Sequence, residues 1–163
     1  MTYYRTMESP IGRLLLTASD AGLSGIFMQD HKGGPAPEPD WINDPSRFTD
    51  AVSQLERYFA GELREFRLKL DLHGTPFQVS VWNALLDIPY GQTRSYADLA
   101  RAIGNPAAVR AVGLANGRNP VSIVVPCHRV IGSNGSLTGY GGGLDRKRFL
   151  LDLESCTPRL HAI

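Results

Sequence analysis

The sequence predicts an α+β protein with a small N-terminal antiparallel sheet and one helix, followed by a mostly helical part that contains a helix-turn-helix. Three observations predict this architecture. Short apolar runs separated by turn residues occupy the start of the chain, apolar residues recur at helical spacing after residue 75, and two short helical segments there flank a turn that contains glycine. We therefore divide the chain into two domains, residues 1–74 and 75–163, with the boundary at His73-Gly74.

Three apolar-rich runs predict an antiparallel meander at the N-terminus. Turn residues lie between them, in the segments Ser9-Pro10-Ile11-Gly12 and Asp20-Ala21-Gly22. A loop rich in proline and glycine, residues 31–39, follows the last run. The runs that we interpret as strands are Tyr3 to Met7, Arg13 to Ala18 and Leu23 to Met28.

The rest of the first domain predicts one amphipathic helix and one extended segment. Apolar residues recur at three- and four-residue spacing from Phe48 to Phe59, and Gly61 ends the pattern. We expect this apolar stripe to pack on the sheet. From Phe66 to Leu72 apolar and polar residues alternate, which predicts either a half-buried strand or an extended linker.

Three helices are predicted in the second domain, each with recognisable end signals. Thr75 is a suitable N-cap for the first, and Gly104 and Gly117 end the second and the third. The second and third helices form the helix-turn-helix candidate. The first helix is predicted from Pro76 up to Pro89-Tyr90-Gly91, with its apolar stripe running from Phe77 to Leu86, and the others from Ser95 to Ile103 and from Ala107 to Asn116.

The third of these helices carries unusually little side-chain bulk. Its small residues permit close approach to another backbone, either a neighbouring helix or the groove of a nucleic acid, and Arg110 and Arg118 add positive charge beside it. The residues alone favour helix packing, because helix-turn-helix geometry also occurs in proteins that never bind DNA. The small residues are Ala107, Ala108, Ala111, Gly113 and Ala115.

Composition limits the class of protein. Of 163 residues, 42% are hydrophobic and 20% are charged, as in ordinary globular domains. No apolar run approaches the roughly 20 residues of a membrane-spanning helix, and the first residues lack the basic start and apolar core of a secretion signal. Only two cysteines occur, Cys127 and Cys156, and we interpret Cys156 as incidental. We therefore expect a reducing, cytoplasmic location in which Cys127 stays a thiol.

Charge is distributed unevenly between the two domains. Residues 1–74 carry 8 Lys/Arg and 11 Asp/Glu, whereas residues 75–163 carry 9 Lys/Arg and 5 Asp/Glu. The second domain is therefore the candidate for binding a negatively charged partner such as nucleic acid. Ordinary scatter in charge explains a difference of this size equally well.

The most informative motif is Pro126-Cys127-His128-Arg129-Val130, which follows the apolar run Val121 to Val125. We interpret that run as a buried strand. A cation beside a thiol favours the thiolate, which is the nucleophilic form of cysteine. On a regular strand, neighbouring side chains point to opposite faces, so direct contact between Cys127 and His128 would require a bend. On these residues alone, a buried core cysteine beside a surface histidine explains the pair equally well.

Several motifs together resemble one family, the methylated-DNA–protein-cysteine methyltransferases, also called O6-alkylguanine-DNA alkyltransferases. The motifs stand in the family's order: Gly117-Arg118-Asn119-Pro120-Val121, then Pro126 to Gly132, then Gly139-Tyr140-Gly141-Gly142-Gly143. The resemblance covers roughly residues 75–154. It implies a winged-helix-like second domain, whereas the first domain fits the family's ribonuclease-H-like α/β domain only loosely.

The resemblance implies direct-reversal DNA repair. Proteins of the family flip a nucleotide out of duplex DNA and transfer the alkyl group of O6-alkylguanine irreversibly to their own cysteine, here Cys127, once per molecule. O4-alkylthymine is a further expected substrate. The implied partner is double-stranded DNA with alkylated bases, bound in the minor groove, with cooperative self-association on DNA as a further expectation. No cofactor and no metal are implied.

The resemblance also implies the catalytic roles of three other residues. His128 acts as the base that takes the thiol proton through a bridging water, and Glu154 orients and charges that histidine. The residues themselves do not choose Glu154 over Asp145 or Asp152, and an exposed carboxylate at a helix end is the alternative. Tyr96 crowds the rotating phosphate and donates a hydrogen bond to guanine N3; its alternative is an aromatic residue that covers the core.

Binding residues are implied in the same way. Arg110 inserts into the base stack where the nucleotide leaves it, and Asn119 ties the helix-turn-helix to the segment of Cys127. The guanine pocket is formed by the ring of Tyr140, the backbone N–H of Gly141, and the main-chain carbonyl groups of Cys127 and Val130. The small residues of the recognition helix, among them Ala111 and Gly113, are expected in the minor groove. Gly141 stands where some members have serine, so only the backbone donor is expected there.

Two other classes of function stay open. A DNA-binding module without chemistry is one, although the alkyltransferase-like relatives of that kind replace the cysteine that is present here. A Cys-His hydrolase with an acyl-thiol intermediate is the other. That hydrolase would turn over repeatedly and would need an oxyanion hole, for which the sequence offers no specific candidate.

Overall fold

The computed structural model describes residues 1–29, 35–137, 139–140 and 142–159. The predicted α+β class is confirmed, since a four-stranded sheet is followed by a mainly helical part. Part of the predicted loop 31–39 lies outside the described residues, as do Thr138 and Gly141. None of the described helices is long and apolar enough to cross a membrane.

The N-terminal sheet contains the predicted meander. Strands β1 (Tyr3–Met7), β2 (Leu14–Ser19) and β3 (Gly22–Met28) pair antiparallel in sequence order. The short strand β4 (Ile42–Asn43) pairs parallel with β1, so the order across the sheet is β3-β2-β1-β4. The strands bury Leu14, Leu16, Leu23, Ile26 and Met28 in the core to which the following helix also contributes.

That helix, α1 (Thr49–Phe59), follows a single 3-10 turn at Pro45–Phe48. It buries Ala51, Leu55 and Tyr58, which lie three and four residues apart on one face. The predicted amphipathic helix is therefore confirmed.

Residues 66–72 form an extended linker with one isolated bridge, between Leu23 and Leu70. The Leu23 N–H donates to the Lys69 carbonyl at 2.9 Å, and the Asp71 N–H donates to the Leu23 carbonyl at 2.7 Å. The linker runs so close to β3 that a Cβ on Gly22 would lie 2.6 Å from the Lys69 carbonyl oxygen. The edge of the sheet thus holds the connection to the second half of the chain.

Three helices follow at the predicted places: α2 (Pro76–Leu86), α3 (Tyr96–Ala102) and α4 (Val109–Gly117). Thr75 and Ser95 each cap a helix with a reciprocal capping box. The start predicted for α4 at Ala107 is wrong by two residues. Ala108 closes a turn by donating to the Asn105 carbonyl at 3.0 Å, and only then does the helix begin. The α3–α4 pair packs on α2, where the indole N–H of Trp82 donates to the Ala115 carbonyl at 2.9 Å.

The strand predicted at Val121 to Val125 is wrong. The run is buried, but only Val121 forms a β-bridge, with Ile26 of β3. The chain then turns, with Ile123 in the left-handed region at φ 76° and the Val125 N–H bonded to the Val121 carbonyl at 2.9 Å. An apolar run reports burial, and burial alone does not distinguish a strand from a buried turn.

The chain after this turn carries the central motif. Cys127–Arg129 is a 3-10 turn, and strand β6 (Val130–Ile131) then pairs parallel with strand β5 (Arg94–Ser95). Helix α5 (Leu144–Arg159) ends the described chain. One continuous apolar core joins the sheet, α1 and the C-terminal helices.

Candidate active site

Cys127 lies on a rigid 3-10 turn and is only 4% exposed. Asn119, at the end of α4, fixes the approach to this turn. Its side-chain amide donates to the Val125 carbonyl at 2.7 Å, and its side-chain oxygen accepts from the Val121 N–H at 3.0 Å. The structure therefore places Asn119 between α4 and the segment of Cys127.

His128 and Glu154 lie in direct contact, although 26 residues separate them. The Nε2 atom of His128 is 2.6 Å from Oε2 of Glu154, and both side chains are buried, at 0% and 1% exposed. Glu154 is therefore not an exposed carboxylate at a helix end. The two acidic residues that competed with it in the sequence, Asp145 and Asp152, are exposed.

Arg129 completes this buried ion network. Its Nε donates to Oε1 of Glu154 at 2.7 Å, its Nη2 donates to Oε2 at 3.0 Å, and its Nη1 donates to the Ile88 carbonyl at 2.7 Å. This bidentate geometry gives the buried carboxylate a permanent positive partner. The sequence drew attention to Arg129 only as a cation near the thiol, and its pairing with Glu154 was not predicted.

The pKa values of these buried groups follow from their surroundings. Burial raises the pKa of the Cys127 thiol, although Asn119 and Lys147 oppose the rise, and burial lowers the pKa of His128. Burial alone would raise the pKa of Glu154, but its hydrogen bonds and charge attraction with His128 and Arg129 prevail and lower the pKa to about 2. At neutral pH the site therefore holds a thiol, a neutral imidazole and a carboxylate.

These protonation states fix the tautomer of His128. An ionised carboxylate only accepts hydrogen bonds, so Nε2 carries the proton and Nδ1 carries the lone pair. Nδ1 is buried and has no hydrogen-bond partner among the described residues. The arrangement can therefore accept a proton at Nδ1, with the resulting imidazolium stabilised by Glu154.

Lys147 is a second buried cation that sequence reasoning missed. It is 0% exposed, and its Nζ donates to the Val130 carbonyl at 2.5 Å. Burial lowers its pKa to about 8, against the opposing attraction of Cys127. The sequence contains a signal for it, because Lys147, Leu150 and Glu154 stand at the three- and four-residue spacing of one helix face. The structure buries all three.

A third group comes from the N-terminal part of the chain. The hydroxyl of Tyr58 on α1 donates to Oε2 of Glu154 at 2.5 Å, and both residues are buried. In the sequence, Tyr58 was only one of the apolar positions of an amphipathic helix. No local signal links it to a residue 96 positions later.

Tyr96 and Tyr140 are the aromatic residues predicted for the substrate pocket. Tyr96, at the start of α3, faces both Gly113 of α4 and Gly139, since a Cβ added to either glycine would lie within 3.9 Å of its ring or hydroxyl. The hydroxyl of Tyr140 is buried and has no hydrogen-bond partner among the described residues. Burial raises the pKa of Tyr140 well above its usual value, and the nearby Cys127 contributes to this rise. Gly141 was predicted as a backbone donor and lies outside the described residues.

The outer face of α4 is exposed and combines the small Ala111 with larger side chains. Arg110 and Ala111 lie on it, Leu114 is 66% exposed, and Arg118 follows the end of the helix. The opposite face buries Val112 and Ala115 against the core. One face of α4 therefore packs on the core, and the opposite face is open to solvent.

Comparisons with known proteins identify the family. A model of the 6-O-methylguanine DNA methyltransferase DNA-binding domain matches residues 76–156, and a model of the ribonuclease-like domain of the same proteins matches residues 2–72. A methylated-DNA–protein-cysteine methyltransferase of Mycobacterium bovis is 57% identical over 94% of this chain and 93% of that relative. One of Methanosarcina acetivorans is 57% identical over 94% of this chain and 99% of that relative.

Solved structures agree with the sequence relatives. The crystal structure of Mycobacterium tuberculosis OGT in complex with DNA superposes with a TM-score of 0.89 at 55% identity, over 95% of this chain and 94% of that one. The O6-methylguanine-DNA methyltransferase of Pyrococcus kodakaraensis superposes with a TM-score of 0.63 at 27% identity, over 94% and 99% of the two chains. With relatives this similar over nearly its whole length, the chain belongs to the 6-O-methylguanine DNA methyltransferase family.

Proposed function

We propose that the chain repairs DNA by transferring the alkyl group from O6 of an alkylated guanine to Sγ of its own Cys127, irreversibly and once per molecule. Membership of the methyltransferase family supports the reaction. The observation that carries the assignment of residues is the contact of Glu154 with His128, the neighbour of Cys127 on one buried turn.

Transfer begins with loss of the thiol proton. Burial raises the pKa of Cys127, so the resting protein holds the protonated thiol and the thiolate forms only during the reaction. Nδ1 of His128 takes the proton through one bridging water, and Glu154 stabilises the imidazolium that results. The unpartnered Nδ1 supports this route. The ammonium of Lys147 further favours the thiolate electrostatically.

The sulfur then attacks the alkyl carbon in line with the carbon–O6 bond. A carbon–sulfur bond forms, the carbon–oxygen bond breaks, and its electron pair goes to the guanine. The proton that left the thiol ends on guanine N1, so the base leaves neutral and unmodified. The thioether on Cys127 is stable, and this stability makes the reaction a single event.

Substrate binding uses the groups around this turn. Tyr140 walls the guanine pocket, the Gly141 N–H donates to O6, and the carbonyl groups of Cys127 and Val130 accept from the guanine amino group. The Val130 carbonyl already accepts from Lys147, but a carbonyl oxygen has two lone pairs and retains room for a second donor. The hydroxyl of Tyr96, close to Gly139, serves guanine N3 and crowds the phosphate.

Duplex DNA binds along α4, whose exposed face has the small Ala111 and the cation Arg110. The target atom is inaccessible inside a duplex, so the nucleotide must flip out at a cost of a few kcal/mol. Arg110 fills the gap in the stack. The low bulk of Ala111 and Gly113 suits the narrow minor groove, and contacts with phosphates set affinity without reading sequence.

The same site accepts O4-alkylthymine, because the thiolate attacks the alkyl carbon and not the base. Cooperative self-association along DNA is part of the proposal only through the family resemblance. The reaction belongs in the cytoplasm, where a reducing environment keeps Cys127 a thiol.

Stoichiometry tests the proposal and separates it from the hydrolase alternative. A fixed amount of protein is titrated with duplex that contains O6-methylguanine, and the restored guanine is measured. Repair should stop at one guanine per chain, and Cys127→Ser should repair none while it keeps its fold and its affinity for DNA. Repair that continues past one event per chain, or that survives in Cys127→Ser, would contradict the proposal.

A further inference from the structure

The side chain of Tyr58 crosses from the N-terminal part of the chain into the buried ion network of the second half. It is 0% exposed, and its hydroxyl donates to Oε2 of Glu154 at 2.5 Å. Its ring packs against the rings of Phe59, Phe66 and Tyr90, whose centroids lie 5.4, 5.3 and 6.2 Å from its own. The direction of the hydroxyl is therefore fixed by packing.

Packing alone does not explain the hydroxyl. A phenylalanine would fill the same volume, and burying a hydroxyl is unfavourable unless it finds a partner. Here the partner is a carboxylate, and a hydrogen bond to an ionised acceptor is among the stronger kinds. The hydroxyl of Tyr58 is thus matched to Glu154 specifically.

The accepting oxygen is also the one that holds the histidine. Oε2 of Glu154 accepts from Tyr58, from Nε2 of His128 at 2.6 Å and from Nη2 of Arg129 at 3.0 Å. Three donors share one oxygen, so each hydrogen bond draws on the same negative charge. A stronger hydrogen bond from one donor leaves less negative charge on Oε2 to attract the other two donors.

We infer that Tyr58 is a positioning residue for the transfer reaction: through Glu154, its hydroxyl sets how basic His128 is. The inference rests on the proposed function, in which neutral His128 accepts the thiol proton. By drawing charge from Oε2, Tyr58 keeps His128 from holding a proton before the reaction begins. The N-terminal part of the chain thereby supplies one hydrogen bond of the catalytic network.

The other charged groups that face this network come from three places. Arg129, on the 3-10 turn, binds Glu154, and Lys147 approaches from α5. Tyr90 packs edge-on against the Tyr58 ring, and the guanidinium carbons of Arg129 and Arg64 lie 5.6 and 5.5 Å from the centroid of the Tyr90 ring. Arg129 and Lys147 both lower the pKa of His128, and Glu154 raises it. Removing the Tyr58 hydroxyl leaves these charged groups in place. It strengthens only the effect of Glu154, which raises the pKa of His128.

The test uses Tyr58→Phe in the full chain, with Tyr3→Phe as a matched control that loses a hydrogen bond to Asp20, 3.1 Å long, elsewhere on the molecule. The pKa of His128 is followed by NMR of carbon-13-labelled histidine without DNA, and single-turnover transfer is followed against pH. In Tyr58→Phe, the pKa of His128 should rise, and the acid limb of the rate profile should move to higher pH by the same amount. Within that limb, a shift of one pK unit lowers the rate of transfer about tenfold at a fixed pH. Tyr3→Phe should change none of these.

A second variant keeps the test decisive if Tyr58→Phe does not fold. Tyr58→3-fluorotyrosine keeps the ring and makes the hydroxyl a stronger donor, so the pKa of His128 should shift downward. A folded Tyr58→Phe with the wild-type pKa of His128 and the wild-type acid limb would overturn the inference, as would a 3-fluorotyrosine variant without the downward shift. If wild-type protein transfers no methyl group, the proposed function fails instead, and the NMR titration still decides whether Tyr58 controls His128.

Discussion

Removing the charge of Glu154 tests the buried ion network most severely. In Glu154→Gln, the carboxamide accepts through only one oxygen, and its NH2 group faces the N–H donors of Arg129 or His128. Arg129 is 6% exposed and would lose its only carboxylate partner among the described residues. Removing one partner of a buried ion pair costs about 3–5 kcal/mol, because the other charge stays buried without compensation.

The pKa of the carboxyl gives an independent magnitude. It falls from 4.5 to about 2 on folding, which corresponds to roughly 3 kcal/mol of stability. Because the folded pKa is the lower one, this stability is fully present above about pH 4.5 and is lost as the pH falls toward 2. The two routes agree, and Glu154→Gln should therefore unfold about 3–5 kcal/mol more easily than wild type at pH 7.

Urea unfolding against pH measures both quantities. Wild type should lose stability between about pH 4.5 and 2 by more than Glu154→Gln does, while both should lose stability below about pH 6.5, where the buried neutral His128 resists protonation. Glu8→Gln is the matched control, because its partner Arg13 lies on the surface and such pairs are worth at most about 1 kcal/mol. A loss below 1 kcal/mol in Glu154→Gln at pH 7, or equal acid profiles for variant and wild type, would contradict a stabilising role of the Glu154 charge.

Three further predictions concern single residues of the site. Lys147→Met should raise the pKa of Cys127 and slow both thiol alkylation and methyl transfer. The control Arg148→Met, on the exposed face of α5, should change neither rate. If Lys147→Met and wild type are alkylated at equal rates at every pH, Lys147 does not stabilise the thiolate. Arg110→Ala should slow transfer from duplex DNA far more than transfer from the free modified base, and equal losses on both substrates would remove its role in flipping. Asn119→Ala leaves the buried Val121 N–H unpaired, at a cost of about 1–3 kcal/mol, whereas the Val125 carbonyl keeps its hydrogen bond from the Cys127 N–H at 2.8 Å. The urea midpoint and the transfer rate should fall together, and an unchanged midpoint would show that Asn119 does not stabilise this turn.

Local patterns predicted the elements whose causes are local. The meander, the α1 stripe and the capping residues Thr75 and Ser95 were predictable, because periodicity and cap chemistry act over a few residues. The prediction of a strand at Val121 to Val125 was wrong because the conformation of this run depends on distant contacts. Ile123 takes a left-handed conformation at φ 76° that only its tertiary surroundings explain.

The residues of the site also differ in whether a local sequence pattern indicates them. Cys127 and His128 stand next to each other and carried their own signal, but Glu154 was chosen only through a family resemblance. Tyr58 was not predicted at all. A contact over 96 residues depends on how α1 packs against α5, and no sequence pattern within either helix contains that information.

The most direct test of alkyl transfer to Cys127 is peptide mass spectrometry after incubation with a duplex that carries one O6-methylguanine. The peptide of Cys127 should gain one methyl group in every active chain, and the DNA should keep an unmodified guanine. A methyl group on the peptide of Cys156 instead, or an unmodified protein that stays bound to the alkylated duplex, would contradict transfer to Cys127.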